Sequence, residues 1–181
     1  MEDPRNLVAI HRELRQGPGR RTREVALNRA IVMFSVGAWQ AYVQDVVTTA
    51  YDLLAPPAGQ PQGWYLVGSG QLELAIGRYN TPNAENTRDL LLHVGFDPWP
   101  AWTWREGPVR LAPVDVRNRL NRWLRVRHAI AHGDNLPSVP MLRMTRAGVP
   151  SLRLANAEAS IVFFDRLVNA TTDGLVATVG P

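Results

Sequence analysis

The chain contains no cysteine and no lysine. The first absence removes disulfides, a thiolate nucleophile and any Cys-ligated zinc site from consideration. The second makes every one of the 20 basic residues an arginine. No apolar run approaches the roughly 20 residues that a membrane-spanning helix needs. Met1-Glu2-Asp3-Pro4 lacks the basic start and apolar stretch of a secretory signal. A cytoplasmic protein with no membrane partner is the expectation. Charged residues are 20% of the chain and apolar ones 45%, a balance that excludes a disordered polyelectrolyte.

What is present is a chain of 181 residues, enough to bury a core without covalent staples and short enough to form one domain over 1–181. The net charge of +4 and a pI near 10.3 suggest a polyanionic partner. A guanidinium grips phosphate through a planar fork, which an ammonium cannot do, so an all-arginine surface suits nucleic acid. A bias towards arginine codons would give the same composition, so placement has to decide.

Periodicity makes the chain mainly helical. A short amphipathic start (Leu7, Ile10, Leu14) breaks at Gln16-Gly17-Pro18-Gly19, and a long helix is expected from about Thr22 to Leu54. Its apolar residues fall on two stripes, one through Leu27, Ile31, Phe34, Ala38 and Ala41, the other through Val25, Val32, Val36, Trp39, Val43 and Ala50. A helix wet on one side needs only one stripe, so this helix either runs through the centre of a bundle or also meets a second copy. Ala55 to Pro61 reads as a loop. Ser69 caps a short helix towards Tyr79, and Thr81-Pro82 opens another that ends at Gly95. Asp97 to Trp104 is aromatic and non-helical; its three tryptophans either stack bases or pack onto the core. A helix follows from Pro113 to Gly133, then a hairpin around Arg146-Ala147-Gly148, then a final helix capped by Asn156 with an apolar face of Ile161, Phe164, Val168 and Leu175. The expected fold is all-α, a bundle of four to five main helices with a small β-hairpin inserted before the last one.

The helix ending at Gly133 carries the chemistry. On an ideal wheel at about 100° per residue, Val116, Leu120, Trp123, Leu124, Ile130 and Ala131 share an apolar arc, and Arg127 falls in its middle. Burying an unpaired guanidinium costs several kcal/mol, so this position demands a partner charge, a wet cleft or a bound anion. Asn121, Arg125, His128 and His132 form a polar arc on the other side. His132 occupies the last turn, where the helix dipole favours imidazolium. An arginine to hold a phosphate and a histidine to exchange protons are what cleavage of an RNA phosphodiester requires.

Arg127-His128-Ala129-Ile130-Ala131-His132-Gly133 resembles the R-x4-H-G signature of the HEPN superfamily of helical ribonucleases, including the polar residue directly after the arginine. The nearest likeness is to the RiboL-PSP-HEPN group. It extends through Trp39-Gln40-Ala41-Tyr42, through Pro82 to Gly95 with the tryptophan-rich stretch after it, and through the final amphipathic helix. One position departs: relatives tend to place an acid before the Ala-Tyr, where this chain has Gln40. The resemblance implies a HEPN-like bundle, catalytic roles for Arg127, His132 and His128, and RNA contacts from Arg125, Asn121 and Arg122. It also implies a homodimer that juxtaposes two signature helices, and a role as a toxin or phage-defence effector, with a cognate antitoxin as a further partner. No cofactor or metal is implied.

Residues 127 and 132 point about 140° apart on a straight helix, so one chain cannot easily turn both onto one phosphate. The competing reading makes Arg127 half of a buried salt bridge, for example with Asp45, and His132 a capping residue. His128 and His132 have the i, i+4 spacing of a helical zinc site, but Ala129 stands where a metalloprotease motif has Glu and no third ligand is evident. Gly68-Ser69-Gly70 before a helix lacks the P-loop lysine and the rest of a dinucleotide fingerprint, and it reads as a flexible turn and cap rather than a phosphate cradle. His11 and His93 call for no special role. Two function classes follow: a metal-independent endoribonuclease acting through a 2′,3′-cyclic phosphate, or a non-catalytic helical module for dimerisation and for binding RNA or nucleotide.

Overall fold

In a computed structural model, which describes residues 2–13 and 22–179, the chain is all-α with two small β insertions. The elements in order are α1 (Glu2–Glu13), α2 (Thr22–Asp52), α3 (Gly63–Arg78), α4 (Ala84–Leu92), a 3-10 turn (Trp99–Ala101), β1 (Trp104–Glu106), β2 (Val109–Leu111), α5 (Pro113–His132), β3 (Arg143–Met144), β4 (Pro150–Ser151) and α6 (Leu154–Val179). Both strand pairs are antiparallel. The break expected at Gln16 to Gly19 lies outside the described residues. The chain divides into two compact units, Met1–Trp39 with Arg119–Leu167 and Gln40–Asn118 with Val168–Pro181, so α2, α5 and α6 each contribute residues to both.

The first unit packs the N-terminal part of α2 with most of α5 and α6. Ile31, Val32, Val36, Leu120, Trp123, Val126, Phe164 and Leu167 are its core, with the Trp39 and Phe164 rings 6.5 Å apart. Of the two stripes on α2, the one through Val32, Val36 and Trp39 is buried after an exposed Val25, whereas the other is split between a fully buried Ile31 and a half-exposed Phe34. By length and composition alone α2 would also pass as a membrane-crossing helix, with a mean hydropathy of 1.2 over its most apolar window. Helix α1 is tied to α6 at both ends, through ion pairs of Arg5 with Asp165 and of Arg12 with Glu158. The β3–β4 hairpin falls where expected, with Gly148 at φ +73° and the Gly148 N–H donating to the Thr145 carbonyl. Asn156 is not the cap of α6 but its third residue: its Oδ1 reaches back to accept from the Arg153 N–H at 2.9 Å and its Nδ2 donates to the Met141 carbonyl at 2.7 Å.

The second unit holds the elements on which the expectations need correction. Helix α3 starts at Gly63, six residues before Ser69, so Gly68-Ser69-Gly70 lies inside a helix and cradles nothing. Gly68 is there because the Tyr51 hydroxyl occupies the space of a side chain; a Cβ would fall 2.2 Å from it. The cap of α4 is Asn83, whose side chain accepts from the Asn86 N–H, rather than Thr81. The β1–β2 hairpin, turned by Gly107 at φ +60°, is an element the periodicity did not show. The tryptophans pack rather than stand free. Trp102 is fully buried and donates to Thr171 Oγ1 at 2.9 Å, and Trp99 lies between the guanidinium groups of Arg88 and Arg117, 4.4 and 4.0 Å from its ring centroid. Arg88 also donates twice to Asp97 Oδ2, which holds the Asp97 carboxyl below the usual carboxylate range.

Candidate functional site

Helix α5 is fixed at both ends by its own sequence. Pro113 supplies a preset φ at the first turn, and the Asp115 carboxylate accepts from the Ala112 N–H at 3.0 Å. At the far end Gly133 takes φ +72°; the Gly133 N–H reaches the Ile130 carbonyl and the Asp134 N–H the Ala129 carbonyl at 2.9 Å. These two bonds form a Schellman stop, so His132 is held as the final helical residue.

The arcs read from the sequence are shifted along α5. Leu120, Trp123 and Leu124 are buried as expected, but further along the buried residues are Val126 and Ala129, while Ala131 is exposed. The buried side therefore drifts around the helix over its last two turns. Arg127 consequently sits at the edge of the buried side, half-buried, rather than in its middle. Among the described residues of its unit no carboxylate pairs with it and no side-chain hydrogen bond engages it. Its charge is thus available to an anion without the penalty of full burial. Asp45, the alternative partner considered from the sequence, is solvent-exposed on α2.

Arg127, His128, Ala131 and His132 are neighbours on the helical lattice, related by three- and four-residue steps. They make one open patch with a methyl group at its centre and cationic or titratable groups around it. His128 and His132 are both exposed, and their rings touch, with centroids 4.2 Å apart at 49°. Arg125 is exposed close to this patch. The other two expected RNA contacts are placed less favourably. Asn121 is half-buried and already engaged in an interaction, and Arg122 is half-buried one turn before the fully buried Val126. Gln40, in the second unit, donates from Nε2 to the Tyr79 carbonyl at 2.9 Å, a bond that the carboxylate of an acid at this position cannot make. Among the described residues no three His, Cys, Asp or Glu side chains gather as a metal-ligand set.

The sequence reading passed over His11. It is only 3% exposed, and neither ring nitrogen has a hydrogen-bond partner. Asn28, 5% exposed beside Arg29 in the first third of α2, donates from Nδ2 to the Leu152 carbonyl at 3.2 Å and leaves Oδ1 unpaired. Compared with protein families, curated proteins and solved structures, the chain matches none.

Proposed function

We propose that the protein is a metal-independent endoribonuclease whose site is built on the open patch of α5. The observation that carries this reading is the half-buried Arg127, without a carboxylate partner in its unit, on the same last turns of α5 as the exposed and touching pair His128 and His132. The resemblance to the R-x4-H-G signature supports the same roles.

In the reaction, a neutral imidazole removes the proton of the ribose 2′-hydroxyl. The 2′-oxygen then forms a bond to phosphorus while the bond from phosphorus to the 5′-oxygen breaks. An imidazolium gives its proton to that leaving oxygen, and the products are a 2′,3′-cyclic phosphate and a 5′-hydroxyl. Arg127 offsets the charge that grows on the non-bridging oxygens.

The geometry favours a shared site. Base and acid must approach phosphorus from opposite sides, because the attacking and leaving oxygens are in line. Two imidazoles in contact on one helix face cannot do so. His132 therefore serves as the base in one copy, and the acid is His132 of a second copy brought up by a two-fold axis. The half-exposed Phe34 on α2 is consistent with association, as the doubled apolar striping implied. We further propose that this activity makes the protein a toxin or phage-defence effector, held in check by a cognate antitoxin.

The test is incubation of the purified protein with a mixed RNA pool and with DNA of the same sequence, in EDTA. The expected outcome is RNA fragments ending in 2′,3′-cyclic phosphate, uncut DNA, a bell-shaped pH profile and a steep loss of rate with salt. Activity that vanishes in EDTA and returns with Mg²⁺, or equal cutting of DNA, would overturn the mechanism. RNA binding without any cleavage would move the assignment to a non-catalytic binding module.

A further inference from the structure

Helix α3, in the second unit, turns an apolar side outward. Of its 16 residues only Leu72 is fully buried. Opposite Leu72, within about 60° of the direction of Gly70 on a helix of about 100° per residue, lie Gly63, Leu66, Val67, Leu74 and Gly77. Leu66, Val67 and Leu74 are each more than half exposed, as is Trp64 at the rim. The only charged residues of the helix are Glu73 and Arg78, whereas the solvated face of a helix ordinarily carries its charge. Glycine weakens a helix interior, and a Cβ at Gly63, Gly70 or Gly77 would meet nothing within this chain. Packing inside the chain explains Gly68, against the Tyr51 hydroxyl, and leaves these three glycines unexplained. A backbone approaching from outside explains them.

We infer that this face is an interface between two copies of the chain, with the two α3 helices antiparallel and meeting at Gly70. The face is self-complementary about that residue, with Gly63 and Gly77 seven positions to either side and Leu66 and Leu74 four. A two-fold axis at Gly70 sets Gly63 of one copy against Gly77 of the other, and Leu66 beside Leu74. Glycine on glycine lets the backbones close, and the leucines fill the space alongside. Leu53 and Leu54, also exposed, follow the Asp52 carboxylate that accepts from the Tyr65 hydroxyl in the first turn of α3. These two and the apolar side chains of α3 expose on the order of 600 Å². That approaches the roughly 800 Å² that each partner buries in a stable dimer. With so little charge, the face suits a like surface rather than a nucleic acid or a charged peptide. The inference goes beyond the site on α5 and does not rest on it.

The experiment is disulfide cross-linking of the full chain, in which introduced thiols have no native cysteine to compete with them. Each substitution replaces a glycine whose Cβ would enter open space on a helix, so folding is preserved. Under mild oxidation Gly70→Cys should form a covalent dimer by itself, because facing Cα atoms on the axis fall within the roughly 4–7 Å that a disulfide spans. Gly63→Cys and Gly77→Cys should each link slowly alone, since seven residues to either side of the axis separate like thiols by about 20 Å. Mixed and refolded together, these two should link to each other about tenfold faster or more. Adding Gly70→Arg to both, which sets two like charges on the axis, should remove that link. Because the readout is taken at α3, a dimer held through α5 does not imitate it, and loss of RNA cleavage does not alter it. Gly63→Cys linking alone as fast as the mixed pair, or no linking at any of the three positions, would overturn the inference. In the second case, flotation of the wild-type protein with phosphatidylcholine vesicles would give the face to a lipid surface instead.

Discussion

Two kinds of arginine environment differ sharply in this protein. Arg88 and Arg117 in the second unit are structural: they clasp the Trp99 ring from within 4.4 Å, and Arg88 forms a two-pronged hydrogen bond to Asp97. Arg127 in the first unit has neither a carboxylate of its unit nor a ring against it, and it lies half-buried on the same last turns of α5 as two exposed histidines. A guanidinium that stabilises a fold is normally occupied. One left open at the edge of a helix, with a methyl group in place of bulk beside it, is placed for an external anion.

The comparison breaks most readily at the α5 patch. His132→Ala and Arg127→Ala should each lower RNA cleavage by about two to four orders of magnitude. Thermal denaturation should move little for His132→Ala, because His132 is exposed, and only modestly for Arg127→Ala, because Arg127 is half-buried. A large loss of Tm in Arg127→Ala would show that this arginine too is structural. Trp99→Ala should do the reverse, costing about 3 kcal/mol of stability in urea titrations with unchanged cleavage per folded molecule. Gly133→Ala comes next. Forcing a side chain to adopt φ +72° should cost about 1 kcal/mol and blur the stop that holds His132.

The smallest effect concerns Asp97. Its folded carboxyl titrates below the usual range because Arg88 hydrogen-bonds the charged form. A lowered folded value means that the stabilisation is complete above the unfolded carboxyl pKa and is lost as pH falls through the folded one. Both partners are about a third exposed, so Asp97→Asn should cost only about 0.5–1 kcal/mol at pH 7. Urea titrations of the two proteins should converge towards pH 2, and a difference that persisted there would exclude the ion pair as its cause.

Much of this arrangement was legible in the sequence where a single local rule decides. The bounds of α2 and α5, the glycine stop at 133 and the Gly148 hairpin follow from periodicity, proline and positive-φ glycine. The start of α3 was not legible, because Gly68 and Gly70 read as turn residues; the reason for one of them is the Tyr51 hydroxyl, a tertiary contact. The burial of Arg127 was misjudged for a related reason. A helical wheel assumes one buried direction, whereas Val126 and Ala129 carry the contact surface around α5 and release Ala131 to solvent. His11 was passed over because a polar side chain on an amphipathic helix looks solvated until its neighbours are in place. The α5 patch itself was found by chemistry and spacing together, since R-x4-H marks an arginine at the edge of the buried side and a histidine at the exposed end of the same helix.

The most direct test of the central claim, that one RNA phosphate is cut between the His132 side chains of two copies, is poisoning of the wild-type chain by an inactive one. Wild-type and His132→Ala proteins are mixed at several ratios, unfolded and refolded together to exchange subunits, and cleavage is measured in EDTA. The account predicts that the rate falls with the square of the wild-type fraction, because a mixed dimer lacks one of the two imidazoles that each site needs. A rate that falls in simple proportion to the wild-type fraction, with mixed dimers verified by mass spectrometry, would contradict it.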